Sequence, residues 1–325
     1  MIRWGIIAPG GIANAFANEV IKTEDGILSA VYGRNEEKTK EFAKKHNIEK
    51  YYVNIDEFLN DDNIDAVYIA TPHNYHMEYA KKCVLAKKHV LCEKSFSYDA
   101  KTGIEVIEIA KENNVFIMEA LWTLFLPAVN QAKKWIEEGR IGKVKLITVN
   151  FGFKSDYNPI SRLYDPNLAG GALLDVGIYP ILFSNYVANA YPKEISASAE
   201  FTNTNVDESD IINLKYEDGT LASLTCSIGV DIDKSAVIFG ENGKIVVPRF
   251  WMAKEAYLYN GDVSEEFIDK YEEAGYKYEI EEVNKCIING DLESSVASHS
   301  FTIGLAKIMD EVRSQIGLVY PFEEN

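Results

Sequence analysis

The chain has 325 residues, 47% of them hydrophobic and 26% charged, enough to bury a core and to form two domains, and nothing in this composition indicates disorder. A formal charge of −17 and a pI of about 4.8 repel phosphate backbones and anionic lipid surfaces, which excludes nucleic acid and membranes as general partners. The four cysteines, Cys83, Cys92, Cys226 and Cys286, form no Cys-x-x-Cys motif, so a reducing cytosol is expected and a thiolate metal site is not.

In chain order, Ile2–Ile7 reads as a buried strand rather than a leader sequence. No apolar run looks long enough to span a bilayer, so a cytoplasmic location is expected. Residues 12–21 have helical spacing, 27–32 form a second apolar strand, and 36–45 a polar helix. The unit repeats through strands at 66–70, 89–92 and 115–118, with helices near 76–86 and 100–112. Near-continuous apolar strands separated by helices predict a doubly wound parallel sheet, buried on both faces.

A helix near 128–138 leads into a different pattern. From Val144 the residues alternate, with Ile147, Val149, Phe151 and Phe153 sharing one face. Further strands are expected at 195–201, 211–216, 221–227, 236–239 and 244–247, with hairpin turns at Asp218-Gly219 and Asn242-Gly243. Helices are expected near 171–189, 276–289 and 298–315. The reading is therefore α/β: residues 1–122 a Rossmann domain, residues 123–325 a substrate-binding and dimerisation domain on a large, mostly antiparallel open sheet.

The first strand is followed by Ala8-Pro9-Gly10-Gly11-Ile12-Ala13, at the place where a dinucleotide fold wants Gly-x-Gly-x-x-Gly/Ala. Gly10 lets backbone approach a pyrophosphate, Ala13 suits close helix–strand packing, and Ala8 stands where the first glycine would be. Ala8, Gly10, Gly11 and Ile12 are thus candidate cofactor residues. The second strand ends at Gly33-Arg34-Asn35. Arg34 offers no carboxylate to a ribose, but its guanidinium can fork onto a 2′-phosphate, which favours NADP and leaves NAD open.

Three segments carry a wider resemblance: 70–76 (Ala-Thr-Pro-His-Asn-Tyr-His), Cys92-Glu93-Lys94, and 170–179 (Gly-Gly-Ala-Leu-Leu-Asp-Val-Gly-Ile-Tyr). Together they resemble the glucose–fructose oxidoreductase and inositol dehydrogenase (Gfo/Idh/MocA) superfamily. With Met118-Glu119-Ala120-Leu121-Trp122-Thr123 and Tyr179, the chain is most similar to its dihydrodiol dehydrogenase and NADP-dependent D-xylose dehydrogenase branch. The resemblance implies a nicotinamide-dependent dehydrogenase acting on a polyol, cyclic diol or aldose, and pairing of copies through the open sheet as a dimer or larger assembly. It adds Thr71, His73, His76, Glu93 and Lys94 to the cofactor set.

Hydride transfer from a carbinol also releases a hydroxyl proton, so the site needs an acid–base group beside the reacting carbon. The resemblance implies Lys94 beside nicotinamide and substrate, with Ser95 where the family has proline. Asp175 and Tyr179 stand four residues apart, on one face of a helix. A free phenol has a pKa of about 10 and needs a nearby positive charge to serve as a base near neutrality. The expected catalytic set is therefore Tyr179 exchanging the proton, Lys94 lowering its pKa and bonding the reacting oxygen, and Asp175 orienting a substrate hydroxyl. Pro180 should kink this helix or mark its first turn. Trp122, Phe151 and Trp251 are candidate pocket walls. No metal-ligand spacing is present. Two readings from other classes stay open: a dinucleotide-binding regulatory protein and an NAD-using glycosidase of the same fold.

Overall fold

A computed structural model describes residues 1–323, which form two compact units. The first comprises Met1–Trp122 and Ala274–Ile303, the second Thr123–Glu273 and Gly304–Asn325, of which 324–325 lie outside the described residues.

In the first unit the chain runs β1 (Ile2–Ile7), α1 (Gly11–Val20), β2 (Gly26–Tyr32), α2 (Glu36–Lys45), β3 (Lys50–Tyr52), α3 (Ile55–Leu59), β4 (Ala66–Ile69), α4 (His76–Leu85), β5 (His89–Cys92), α5 (Ala100–Asn113) and β6 (Ile117–Glu119). The strands are parallel in the order β3-β2-β1-β4-β5-β6, so strand order reverses between β1 and β4. That reversal opens a crevice at the carboxyl ends of the strands. Ile7, Val67, Ile69, Val90 and Ile117 join Ala80, Val84, Val106 and Ala110 of α4 and α5 in one buried cluster. Trp4, Phe16 and Tyr68 form another, with the Phe16 and Tyr68 rings stacked at 3.8 Å. Each such ring contributes on the order of 2–3 kcal/mol by leaving water. β3 and α3 escaped the sequence reading, because a three-residue, half-exposed strand carries no apolar run.

The second unit contains α6 (Pro127–Glu137), β7 (Val144–Gly152), α7 (Ile178–Ala188), β8 (Pro192–Phe201), β9 (Asp207–Tyr216), β10 (Leu221–Ser227), β11 (Ser235–Gly240), β12 (Lys244–Pro248), β13 (Glu255–Asn260) and β14 (Val263–Ile268). The order is β14-β13-β12-β11-β7-β10-β9-β8; β7 and β10 are parallel and the other neighbours antiparallel. Both hairpin turns join antiparallel neighbours as expected, β9 to β10 and β11 to β12. β13 and β14 were not anticipated; β14 is half-exposed and rich in charge, so it lacks an apolar signature.

Two expectations need correction. Residues 274–303 cluster with the first unit, not with the rest of 123–325. α8 (Tyr276–Asn289) is tied there by polar bonds: Trp4 Nε1 donates to Asn284 Oδ1 at 3.0 Å, and Glu19 accepts from the Gly275 and Lys277 amides at 3.0 and 2.8 Å. α9 (His299–Ile316) then carries the chain back to the second unit. The segment Pro166–Ala188 does have the length and apolarity of a membrane span, with mean hydropathy 1.3 over an 18-residue stretch of it, but 89% of that stretch is buried inside the protein.

Candidate functional site

The crevice of the first unit is a cleft of about 270 Å³. It is lined by the ends of β1 (Ile7, Ala8, Pro9, Gly10), of β2 (Tyr32, Gly33, Arg34, Asn35) and of β4 (Ala70, Thr71, Pro72), with Lys38, Thr39, Tyr75 and Tyr79. Ala8 takes the turn at φ 69°, a left-handed conformation normally left to glycine, and its carbonyl accepts from Gly10 N at 2.9 Å. Gly10 caps α1, which has no side-chain cap, so the first-turn amides are left for a ligand. A Cβ at Gly11 would enter open space, and one at Gly10 would meet only the Ala8 carbonyl at 4.0 Å. Thr71 also lines the cleft, and its Oγ1 is buried with no hydrogen-bond partner among the described residues. A pyrophosphate fits this combination of open glycines, unspent amides and an orphaned hydroxyl.

Arg34 is exposed, and its guanidinium carbon stands 5.6 Å from the centroid of the Tyr75 ring. The Asn35 side chain caps α2 by accepting from Lys38 N, which sets Lys38 on the same rim. Lys38, Tyr75 and Tyr79 were missed by the sequence reading. Lys38 had one legible signal, its place three residues past a strand-ending Arg-Asn cap.

The cleft thus brings together Ala8, Gly10, Arg34 and Thr71 of the expected cofactor residues. Gly11 and Ile12 open α1 beside it. His73, His76, Glu93 and Lys94 are not on its lining. His76 is fully buried, with Nε2 2.8 Å from Thr71 O and Nδ1 2.8 Å from Ser95 O, so it ties the turn after β4 to the turn after β5. Burial lowers its pKa, against the two carbonyls, which favour the protonated ring. The His73 ring packs edge-on to that of His76 at 5.6 Å.

Lys94 is half-buried on the turn after β5, at the carboxyl edge of the sheet. The peptide between Lys94 and Ser95 is cis. Glu93 points inward: it accepts from the Tyr68 hydroxyl and from Lys94 N. Glu119, at the end of β6, accepts from Phe96 N at 2.8 Å, and burial pushes its carboxyl up to about 7. The turn bearing Lys94 is therefore held by His76 and Glu119. Trp122, expected as a pocket wall, is buried and stacks on Tyr276 at 4.4 Å within the same unit.

In the second unit Asp175 lies on a π-helical turn, Leu173–Gly177, that runs into α7. Pro180 is the third residue of α7, inside one helical run that continues from the π turn, and without an N–H it leaves a carbonyl of that turn without its helical donor. The π turn carries Asp175, and Tyr179 is the second residue of α7. Asp175 is paired with Arg162, whose Nη1 and Nη2 lie 2.5 and 3.5 Å from its two carboxylate oxygens. The Asp175 side chain is 7% exposed and that of Arg162 56%. Arg162 was missed; only the long polar loop at 154–168 pointed to it. Tyr179 is buried edge-on against Phe151 at 5.5 Å, and Phe151 stacks on Trp251 at 4.1 Å. Tyr179, Phe151 and Trp251 thus form one aromatic group.

Residues 2–121 match the oxidoreductase family with an NAD-binding Rossmann fold, and residues 129–246 match the GFO/IDH/MocA C-terminal domain. Trans-1,2-dihydrobenzene-1,2-diol dehydrogenase of Danio rerio is 36% identical, with 98% of each chain covered. The Mus musculus enzyme of the same name is 34% identical over the same shares. Among solved structures, a 3-ketoreductase from Actinomadura kijaniata in complex with NADP and TDP-benzene shares the fold, with a TM-score of 0.89 at 22% identity, covering 97% of this chain and 98% of that one.

Proposed function

We propose that this chain, which belongs to the GFO/IDH/MocA oxidoreductase family, is an NADP-preferring dehydrogenase that oxidises a hydroxyl of a cyclic diol, polyol or aldose, or runs the reverse reduction. The observation that carries the reading is the cleft at the β1–β4 strand reversal, with its uncapped helix, open glycines and orphaned Thr71 hydroxyl. Ala8, Gly10, Gly11 and Ile12 would hold a pyrophosphate through backbone amides, and Thr71 would supply one hydroxyl. Arg34 and Lys38, both exposed on the rim, suit a 2′-phosphate and so support NADP over NAD. The bound nicotinamide supplies the hydride acceptor or donor.

The protein's own groups handle the proton and the orientation. Tyr179 exchanges the hydroxyl proton; its ring is fixed by Phe151, so only the phenol needs to act. Lys94 hydrogen-bonds the reacting oxygen, and Asp175, kept in place by Arg162, orients a further substrate hydroxyl. His76 and Glu93 act by holding the Lys94 turn.

The second unit's sheet leaves Leu146 and Leu221, paired across neighbouring strands, exposed together with Ile211 and Tyr259. A second copy of the chain on this face would cover them, and sedimentation of the purified protein as a monomer would contradict that. Four free, buried cysteines suit a reducing compartment.

The test is to supply NADP⁺, and separately NAD⁺, with a panel of aldoses, inositols and cyclic diols, and to follow reduced-nicotinamide absorbance. Reduction by a panel member, faster with NADP⁺, is expected. Cofactor binding without turnover of any member would move the protein to the regulatory class.

A further inference from the structure

β9 carries two aspartates, Asp207 and Asp210, that are completely buried. Three residues apart on a regular strand, they would face opposite sides of the sheet. The pairing of β8 with β9 explains why they do not: Phe201 pairs with Asp207 and Glu200 with Ser209, so Glu208 is an extra residue and the strand bulges there. The bulge turns both carboxyls onto the inner face.

Asp207 accepts from the amides of Ala172 and Leu173, the residues that open the π turn bearing Asp175. Gly171, just before them, has φ 119°, and a Cβ there would lie 2.0 Å from Asp207 Oδ1. The chain therefore needs glycine at 171 both for its backbone and for access of the carboxyl. Asp210 Oδ2 accepts from the Cys226 thiol at 3.1 Å, and a Cβ on Gly177 would lie 2.9 Å from that sulfur, so the end of the π turn sits on the same spot. Tyr320 fixes the segment from the other side, donating to Gly170 O at 2.9 Å.

Among the described residues, Asp207 Oδ1 and Asp210 Oδ1 receive no hydrogen bond from any ordinary donor, yet the two carboxyls hydrogen-bond each other. One proton between them satisfies both oxygens. We infer that Asp207 and Asp210 act as a single-proton carboxyl pair that clamps the start of the helix bearing Asp175 and Tyr179, and that both are positioning residues for the reaction. The role in catalysis rests on the function proposed above; the clamp itself does not.

Burial, reinforced by the Asp207 charge, pushes Asp210 up to about 9, and burial raises Asp207 as well. Raising the pH through that range removes the shared proton, sets two carboxylates against each other and loosens the clamp. The other titratable groups facing the pair are the Cys226 thiol on β10 and the Tyr320 phenol, which stacks under the Arg313 guanidinium. Burial pushes both the thiol and the phenol well above their usual range, so neither supplies a charge change there.

The experiment is amide hydrogen exchange at Ala172 and Leu173 on the full chain, from neutral to alkaline pH, in wild type, Asp210→Asn and Asp207→Ala. Wild type should lose protection as the pair deprotonates. Asp210→Asn, whose amide donates to Asp207 without a titratable proton, should keep it. Asp207→Ala should lose protection at every pH, and kcat should fall on the order of tenfold or more with KM for NADP⁺ unchanged. Unchanged protection in Asp207→Ala, or an alkaline decline in Asp210→Asn that matches wild type, overturns the clamp. If Asp207→Ala does not fold, Asp210→Asn decides alone. Should the amides behave as expected while no variant alters turnover, the clamp stands and the catalytic reading of this helix fails.

Discussion

The guanidinium carbon of Arg34 lies 5.6 Å from the centroid of the Tyr75 ring, at the rim of the cleft where β2 ends. The contact preorganises an exposed cation without neutralising it, which is what a phosphate-binding arginine requires. Arg34→Ala should raise KM for NADP⁺ roughly tenfold or more, the worth of a charge-assisted hydrogen bond, and leave KM for NAD⁺ nearly unchanged. Equal effects on the two cofactors would mean that Arg34 does not read the 2′-phosphate.

Tyr179→Phe keeps the edge-on contact with Phe151 and removes only the phenol. The variant should fold and lose about a hundredfold or more in kcat, the usual contribution of a general acid–base group. Steady-state kinetics beside a thermal melt separates the two effects. Near-normal kcat would remove Tyr179 from the proton step.

Ala8 occupies a left-handed turn at φ 69°. Ala8→Gly should hold or raise stability by about 0.5 kcal/mol, because relief of the turn slightly exceeds the entropy glycine adds to the unfolded chain. Ala8→Val should destabilise the first unit and weaken cofactor binding together. Urea denaturation with and without NADP⁺ checks both, and an Ala8→Val variant as stable as wild type would contradict the turn geometry.

Glu119 gives a pH prediction. Burial raises its folded pKa from the ordinary 4.5 to about 7. A carboxyl raised in the folded state opposes folding only once it must ionise, so its cost is absent at low pH, grows between about 4.5 and about 7, and then levels off. Glu119→Gln keeps an acceptor for Phe96 N without that ionisation. The stability difference between the variant and wild type should move in the variant's favour across this window. Parallel urea midpoints at all pH values would show that Glu119 does not titrate there.

The sequence carried the parallel sheet because its strands are apolar runs, and the open sheet because Ile147 and Val149 alternate with polar neighbours. It carried Gly10 and Arg34 because their positions follow strand ends. It did not carry Arg162, whose partner lies 13 residues away across a loop, nor the inward turn of Glu93, which depends on a hydroxyl from β4. The return of 274–303 to the first unit was equally hidden, since the Trp4–Asn284 bond joins residues 280 apart. Nor did the sequence carry the π turn at Leu173–Gly177, because a single extra residue in a helical turn leaves no composition signal.

The most direct measurement is isotopic. A reactive panel substrate carrying deuterium on its carbinol carbon is turned over with NADP⁺, and the reduced cofactor is weighed by mass spectrometry. Hydride transfer requires the label to appear in the reduced nicotinamide. Label released to water, or retained in the product while no cofactor is reduced, would contradict it.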